Sequence, residues 1–171
     1  MRISVLLLIA LAACTAPPPP LAPSMPPPKP VAVAPLPVTA AKGDWTDWPL
    51  AAGDWVYRQD QRGSIALFGP PNADARVTLR CDRARQRIYL ARAGSGAGSF
   101  VIRSSSMMKE FAGAPTGGTL PYLATEISPR DPILDAVIYS RGRIAIEVAG
   151  QTPLAIPSWA EIGRVVEDCR A

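Results

Sequence analysis

Apolar residues are distributed along this chain in three distinct ways. From Ile3 to Leu11 they form one run interrupted only by Ser4, preceded by Arg2 and ended by Leu11-Ala12-Ala13-Cys14. A run of this size falls well short of the roughly 20 residues that a bilayer-spanning helix needs, and with its basic start it has the layout of a secretory signal over residues 1–13. From Ala16 to Pro37 the periodicity disappears into APPPPLAPSMPPPKPVAVAPLP, where eleven prolines are mixed with small residues. Proline lacks the backbone N–H and fixes φ, so this stretch predicts an extended, solvated tether rather than helix or sheet. In polyproline II geometry it reaches on the order of 65 Å at about 3.1 Å per residue. Residues 14–43 are assigned to this tether, and 44–171 to a single folded domain of ordinary size.

Within that domain the pattern is mostly alternation. In Val77-Thr78-Leu79-Arg80-Cys81-Asp82 the odd positions are apolar and the even ones polar, and Ile144, Ile146 and Val148 alternate with Ala145 and Glu147. Such spacing puts one face of a strand in a core. Strands are expected at Trp55 to Gln59, Ser64 to Phe68, Val77 to Cys81, Arg87 to Arg92 and Ser99 to Ser104. More follow at Tyr122 to Ile127, Ala136 to Tyr139, Arg143 to Val148 and Pro153 to Ile156. Turn chemistry separates them, notably Gly69-Pro70-Pro71-Asn72, Gly94-Ser95-Gly96-Ala97-Gly98 and Gly117-Gly118. Asp131-Pro132-Ile133-Leu134-Asp135 adds one helical turn. At the end of the chain, Ser158 and Glu161 read as a capping box, followed by Trp159, Ile162, Val165, Val166 and Cys169 on one helical stripe. The fold expected is mainly β, an antiparallel sandwich or barrel closed by one C-terminal helix.

Leu11-Ala12-Ala13-Cys14 resembles the lipobox of bacterial lipoproteins, in which small residues precede a cysteine that is acylated before cleavage. The resemblance implies a mature chain anchored through lipid on Cys14 in the bacterial cell envelope, palmitate among its acyl groups. Two or three acyl chains hold stably where a single one does not. Thr15, rather than Asp, after the cysteine is similar to the default for sorting to the outer membrane, facing the periplasm. A second resemblance rests on Ser140-Arg141-Gly142-Arg143, Pro157-Ser158-Trp159-Ala160-Glu161-Ile162 and Glu167-Asp168-Cys169-Arg170. These are similar to the ends of small alphaproteobacterial lipoproteins and, more loosely, to periplasmic invasion-associated locus B proteins. Neither resemblance brings catalytic residues with it.

An exported domain changes the meaning of the other two cysteines. Cys81 and Cys169 both face inward by their patterns, so a disulfide between them is the leading expectation, the alternative being two buried thiols. It would close a long loop and add about 4 to 5 kcal/mol in the chain-entropy picture.

Charge adds little. The chain carries 18 Lys and Arg against 14 Asp and Glu. Arg2, Lys29 and Lys42 precede the domain, which leaves it close to neutral, and nucleic acid is not an expected partner. Arg76, Arg80, Arg83, Arg85, Arg87 and Arg92 crowd one strand-turn-strand stretch. They are either a binding face for an anionic polymer or head group, or the solvated outside of a hairpin. Trp45 and Trp48, set among small residues at the domain entrance, are candidates for an exposed aromatic platform, whereas Trp55 belongs to a strand and to the core. The possible ligand face is therefore Trp45, Trp48, Arg76, Arg80, Arg85 and Arg87.

The chain has no histidine, which removes Ser-His-Asp and Cys-His catalysis and histidine metal centres. Two cysteines without histidine also make a poor zinc site. Ser106-Met107-Met108-Lys109 matches the Ser-x-x-Lys of penicillin-binding enzymes but lacks their companion motifs. Carboxylate pairs such as Asp44 with Asp47, or Glu167 with Asp168, are the remaining acid-base candidates. The expectation is a non-catalytic, cofactor-free binding or assembly module contacting an envelope protein or polymer. A small envelope hydrolase using carboxylates or Ser106 and Lys109 is the alternative.

Overall fold

The computed structural model describes residues 43–171. The apolar run, Cys14 and the proline-rich tether lie outside the described residues. Nine antiparallel strands form one strongly curled sheet, a half-barrel, in the order β1-β2-β3-β4-β7-β6-β5-β8-β9. They are β1 (Asp54–Asp60), β2 (Gly63–Gly69), β3 (Val77–Asp82), β4 (Arg87–Ala93), β5 (Gly98–Arg103), β6 (Met108–Pro115), β7 (Tyr122–Ile127), β8 (Arg143–Val148) and β9 (Leu154–Pro157). Helices α1 (Pro132–Ile138) and α2 (Ala160–Arg170) complete the domain, after a short 3-10 helix at Trp45–Asp47.

Local chemistry explains the hairpins. Asp60 Oδ1 accepts from the backbone N–H of Arg62 at 3.0 Å and of Gly63 at 3.2 Å, closing the β1–β2 turn. Gly63 has φ 144°, and a Cβ there would sit 2.6 Å from the carbonyl oxygen of Cys81, so only glycine fits. In the next turn Asp82 Oδ1 accepts from Arg85 N–H at 3.2 Å, with Gln86 at φ 53°.

The inward positions make one core. Trp55, Phe68, Leu79, Ile88, Phe100, Ile127, Ile146 and Ile156 meet Ile133, Leu134 and Val137 of α1 and Ile162, Val165, Val166 and Cys169 of α2. Cys81 and Cys169 form a disulfide with their Cα atoms 5.4 Å apart, tying α2 to β3 as the alternation indicated. Just before β1, Leu50 bridges Ala155 of β9 in parallel, and Ala51 N–H donates to Ala155 O at 2.8 Å. The segment that leads into one edge strand thus covers the other. A second link crosses the interior. Arg92, only 7% exposed, donates to the backbone oxygens of Ile146, at 3.0 Å, and Thr152. Burial lowers its pKa to about 10, which leaves it charged at neutral pH.

Three expectations need correction. Ala136 to Tyr139 is not a strand, because Asp131 accepts from Ile133 N–H at 3.1 Å and Pro132 opens α1, which runs to Ile138. Met108–Pro115 is a strand that alternation did not reveal. Ser158 does not cap α2: its hydroxyl donates to the Val137 carbonyl, Trp159 occupies the N-cap position without a side-chain cap, and Trp159 is 44% exposed rather than part of the apolar stripe.

Candidate functional site

The outward faces of β3, β4, β7 and β6 form a groove of about 520 Å³. Its lining includes Thr78, Ala91, Ala112, Ala114 and Ala124, and Arg62, Arg80, Arg85, Tyr89 and Glu126 contribute the charged and aromatic side chains. Small outward residues on four neighbouring strands make the floor of the depression, beside the larger Arg80, Tyr89 and Glu126.

The arginines are set by carboxylates. Arg80 donates to Asp60 at 2.7 Å and Arg62 to Asp82 at 2.9 Å. Those guanidiniums hold Asp60 and Asp82 below the ordinary carboxylate pKa, Arg80 acting chiefly on the first and Arg62 on the second. Arg85 enters no ion pair among the described residues, and its pKa is raised by the Tyr89 hydroxyl and then by the charges of Asp82 and Glu126. The groove therefore offers planar donors, two of them positioned by carboxylates.

Of the arginines singled out in the sequence, Arg80 and Arg85 come together in the groove. Arg87 lies outside its lining and pairs with Glu126 at 2.7 Å. Arg76 is exposed outside the lining, its backbone tied to β2 and β4.

The tryptophans are elsewhere. Trp48 is 9% exposed and packs on Ala145 and Ala155, with Trp45 half-buried against the same cluster. Small residues on the outer face of β8 and β9 leave room for these rings, so Trp48 belongs to a second, smaller core and is not a surface platform. Beside it a cleft of about 280 Å³ is lined by Gly43, Asp44, Trp45, Trp48, Arg103 and Glu147. Asp44 is used locally, accepting from Thr46 N–H at 2.9 Å.

Ser106 and Lys109 are placed for other work. Ser104 Oγ accepts from Ser106 N–H at 3.3 Å and Met107 N–H at 2.9 Å, which folds the β5–β6 turn. Lys109 Nζ pairs with Asp131 Oδ2 at 2.6 Å. No hydrogen bond joins Ser106 to Lys109 among the described residues. Asp168 accepts from the Tyr57 hydroxyl. Burial pushes its carboxyl up, and that bond together with the charges of Arg83 and Arg164 outweighs burial to leave it lowered.

Among the described residues no group of three or more His, Cys, Asp or Glu side chains gathers as a metal site, and no helix is long and apolar enough to cross a membrane. The groove residues that sequence reasoning missed are Arg62, Tyr89, Ala112, Ala114 and Ala124. The outward parity of Thr78, Arg80, Tyr89 and Ala91 was the available signal, but Ala112 and Ala114 sit on the unrecognised strand. Comparison of the chain with protein-family models, curated proteins and solved structures gives no match.

Proposed function

We infer that this chain is an envelope protein held to a membrane by lipid on Cys14, whose domain acts as a non-catalytic binding module. One observation carries the reading: Cys81 and Cys169 pair with each other, so of three cysteines Cys14 alone has no intramolecular mate, and it closes the apolar run. A disulfide also suits an exported chain. The outer membrane, facing the periplasm, is the location that Thr15 favours. The groove bearing Arg62, Arg80, Arg85 and Tyr89 is the face assigned to the ligand, an acidic segment of an envelope protein or polymer lying across the small-residue floor. Catalysis has no comparable support, since Lys109 is engaged by Asp131.

Two measurements test this. Cells fed labelled palmitate should label the wild-type chain and not Cys14→Ser; equal labelling of the two would sink the anchor. A photo-crosslinking residue at Ala112 should trap an envelope component in intact cells, and Arg80→Glu with Arg85→Glu should abolish the adduct. An adduct indifferent to those charges would place the ligand elsewhere.

A further inference from the structure

Three loops at one end of the sheet are knitted together by their serines. Ser105 N–H donates to Ser140 Oγ at 3.0 Å, and Arg141 N–H donates to Ser105 Oγ at 3.2 Å. Ser158 N–H donates to Gly142 O at 3.4 Å, while its hydroxyl reaches Val137 O. The β5–β6 turn, the α1–β8 loop and the entry to α2 thereby share one end of the half-barrel.

The same three loops carry four of the seven large apolar side chains that stand exposed among the described residues: Met107, Met108, Tyr139 at 80% and Trp159 at 44%. None of these four lines a cavity described above. A protein partner's anchoring aromatics normally seat in pockets, whereas a lipid surface needs only protruding apolar side chains. Tyr139 and Trp159 combine an apolar body with a polar tip, the combination that favours the headgroup boundary.

The local charge agrees. Arg141, exposed between Tyr139 and Gly142, enters no ion pair among the described residues, while the neighbouring Asp131 and Asp135 are neutralised by Lys109 and Arg170. Glu161 is the opposing charge, half-buried in the first turn of α2 with one carboxylate oxygen enclosed.

We propose that this loop end is a membrane-docking surface that seats Tyr139, Trp159 and Met107 in the boundary region of an anionic bilayer, with Arg141 at the phosphates. The proposal rests on the envelope reading for its biological setting, because a lipid on Cys14 would keep a bilayer within the tether's reach. Its physical content is independent of acylation.

The test uses the chain from Thr15 to Ala171, exported on an unlipidated signal so that no acyl group is present. It is mixed with vesicles of phosphatidylethanolamine and phosphatidylglycerol and, separately, of phosphatidylcholine alone. The parent chain should sediment with the anionic vesicles, and Tyr139→Ser with Trp159→Ser should lower the partition coefficient by roughly ten-fold. Arg141→Glu should weaken binding to the anionic vesicles several-fold and leave phosphatidylcholine unaffected. Leu120→Ser, exposed on the loop between β6 and β7 at the far end of those strands, should bind as the parent does. Circular dichroism on each variant separates lost binding from lost fold. A parent chain that stays in the supernatant, or equal partition of parent and double variant, overturns the proposal. So does a parent that ignores vesicles but forms a dimer the double variant dissolves, which would make the patch a contact between copies. Palmitate labelling of Cys14 reads the anchor separately, so either idea can fail alone.

Discussion

Strands β1 to β4 carry α2 and the Cys81–Cys169 bridge, whereas β5, β6, β8 and β9 are joined to them by much less. At the seam, β6 and β7 share only two residue pairs, Ala114 with Ala124 and Pro115 with Leu123. Beyond the shared apolar core, the polar links are Arg92 reaching across to β8 and the loop after it, Trp55 Nε1–H donating to Pro157 O at 2.8 Å, and the bridge from Leu50 to Ala155. One half is braced covalently and by a helix. The other shares the apolar core through Phe100, Ile146 and Ile156 but has neither brace, so it is the part expected to loosen first.

Removing the brace should have the largest effect. Cys81→Ala with Cys169→Ala opens a loop spanning a sequence separation of 88 and should cost about 4 to 5 kcal/mol, read from the denaturant midpoint together with a slope that rises because the unbridged unfolded chain is more expanded. A loss below about 1 kcal/mol would mean that apolar packing alone secures α2.

Next in size is the buried link. Arg92→Ala removes both hydrogen bonds to the second half and should cost about 3 kcal/mol, with hydrogen exchange rising first in β8 and β9. Uniform exchange across both halves would show that the two move as one.

Acid should act weakly on the hairpin turns of the first half. Arg80 and Arg62 hold Asp60 and Asp82 below their unfolded pKa. Their contribution is complete above the ordinary carboxylate value near about pH 4, and it is lost as pH falls through the lower folded values. Corrected for the intrinsic pH dependence of amide exchange, exchange in the turns at 60–63 and 83–86 should therefore accelerate as pH falls below about 4. Acceleration of the 104–107 turn over the same range would contradict the division.

The braced half was also the more legible in the sequence. Alternation in β3 oriented Cys81, helical spacing oriented Cys169, and the pairing of the two followed without any knowledge of the sheet order. The second half resisted because β6 reads Met-Lys-Glu-Phe-Ala-Gly-Ala-Pro, in which neither face is consistently apolar. Gly113 explains part of this, since a Cβ there would meet Gly98 O at 3.0 Å, so the position is chosen for closeness rather than hydrophobicity. In α1, the β-prone Ala136-Val137-Ile138-Tyr139 was overridden by a cap and a proline upstream. The groove lies between these cases: Arg80 and Arg85 could be named in advance, but its small-residue floor is assembled from strands that are distant along the chain. Trp48 was misplaced for the same reason, since the alanines that receive it are about a hundred residues away.

The Leu50–Ala155 bridge has a mechanical side. Any pull transmitted along the chain from its amino-terminal side meets the domain at the segment from Trp45 to Ala51, ahead of β1. There Arg143 Nη1–H donates to Trp48 O at 2.8 Å and Ala51 N–H donates to Ala155 O. These contacts stand ahead of β1 in the line of force. They can detach as a fuse, lengthening the chain by a few residues and exposing the edge of β9 before a single pair of the β1–β2 ladder is loaded.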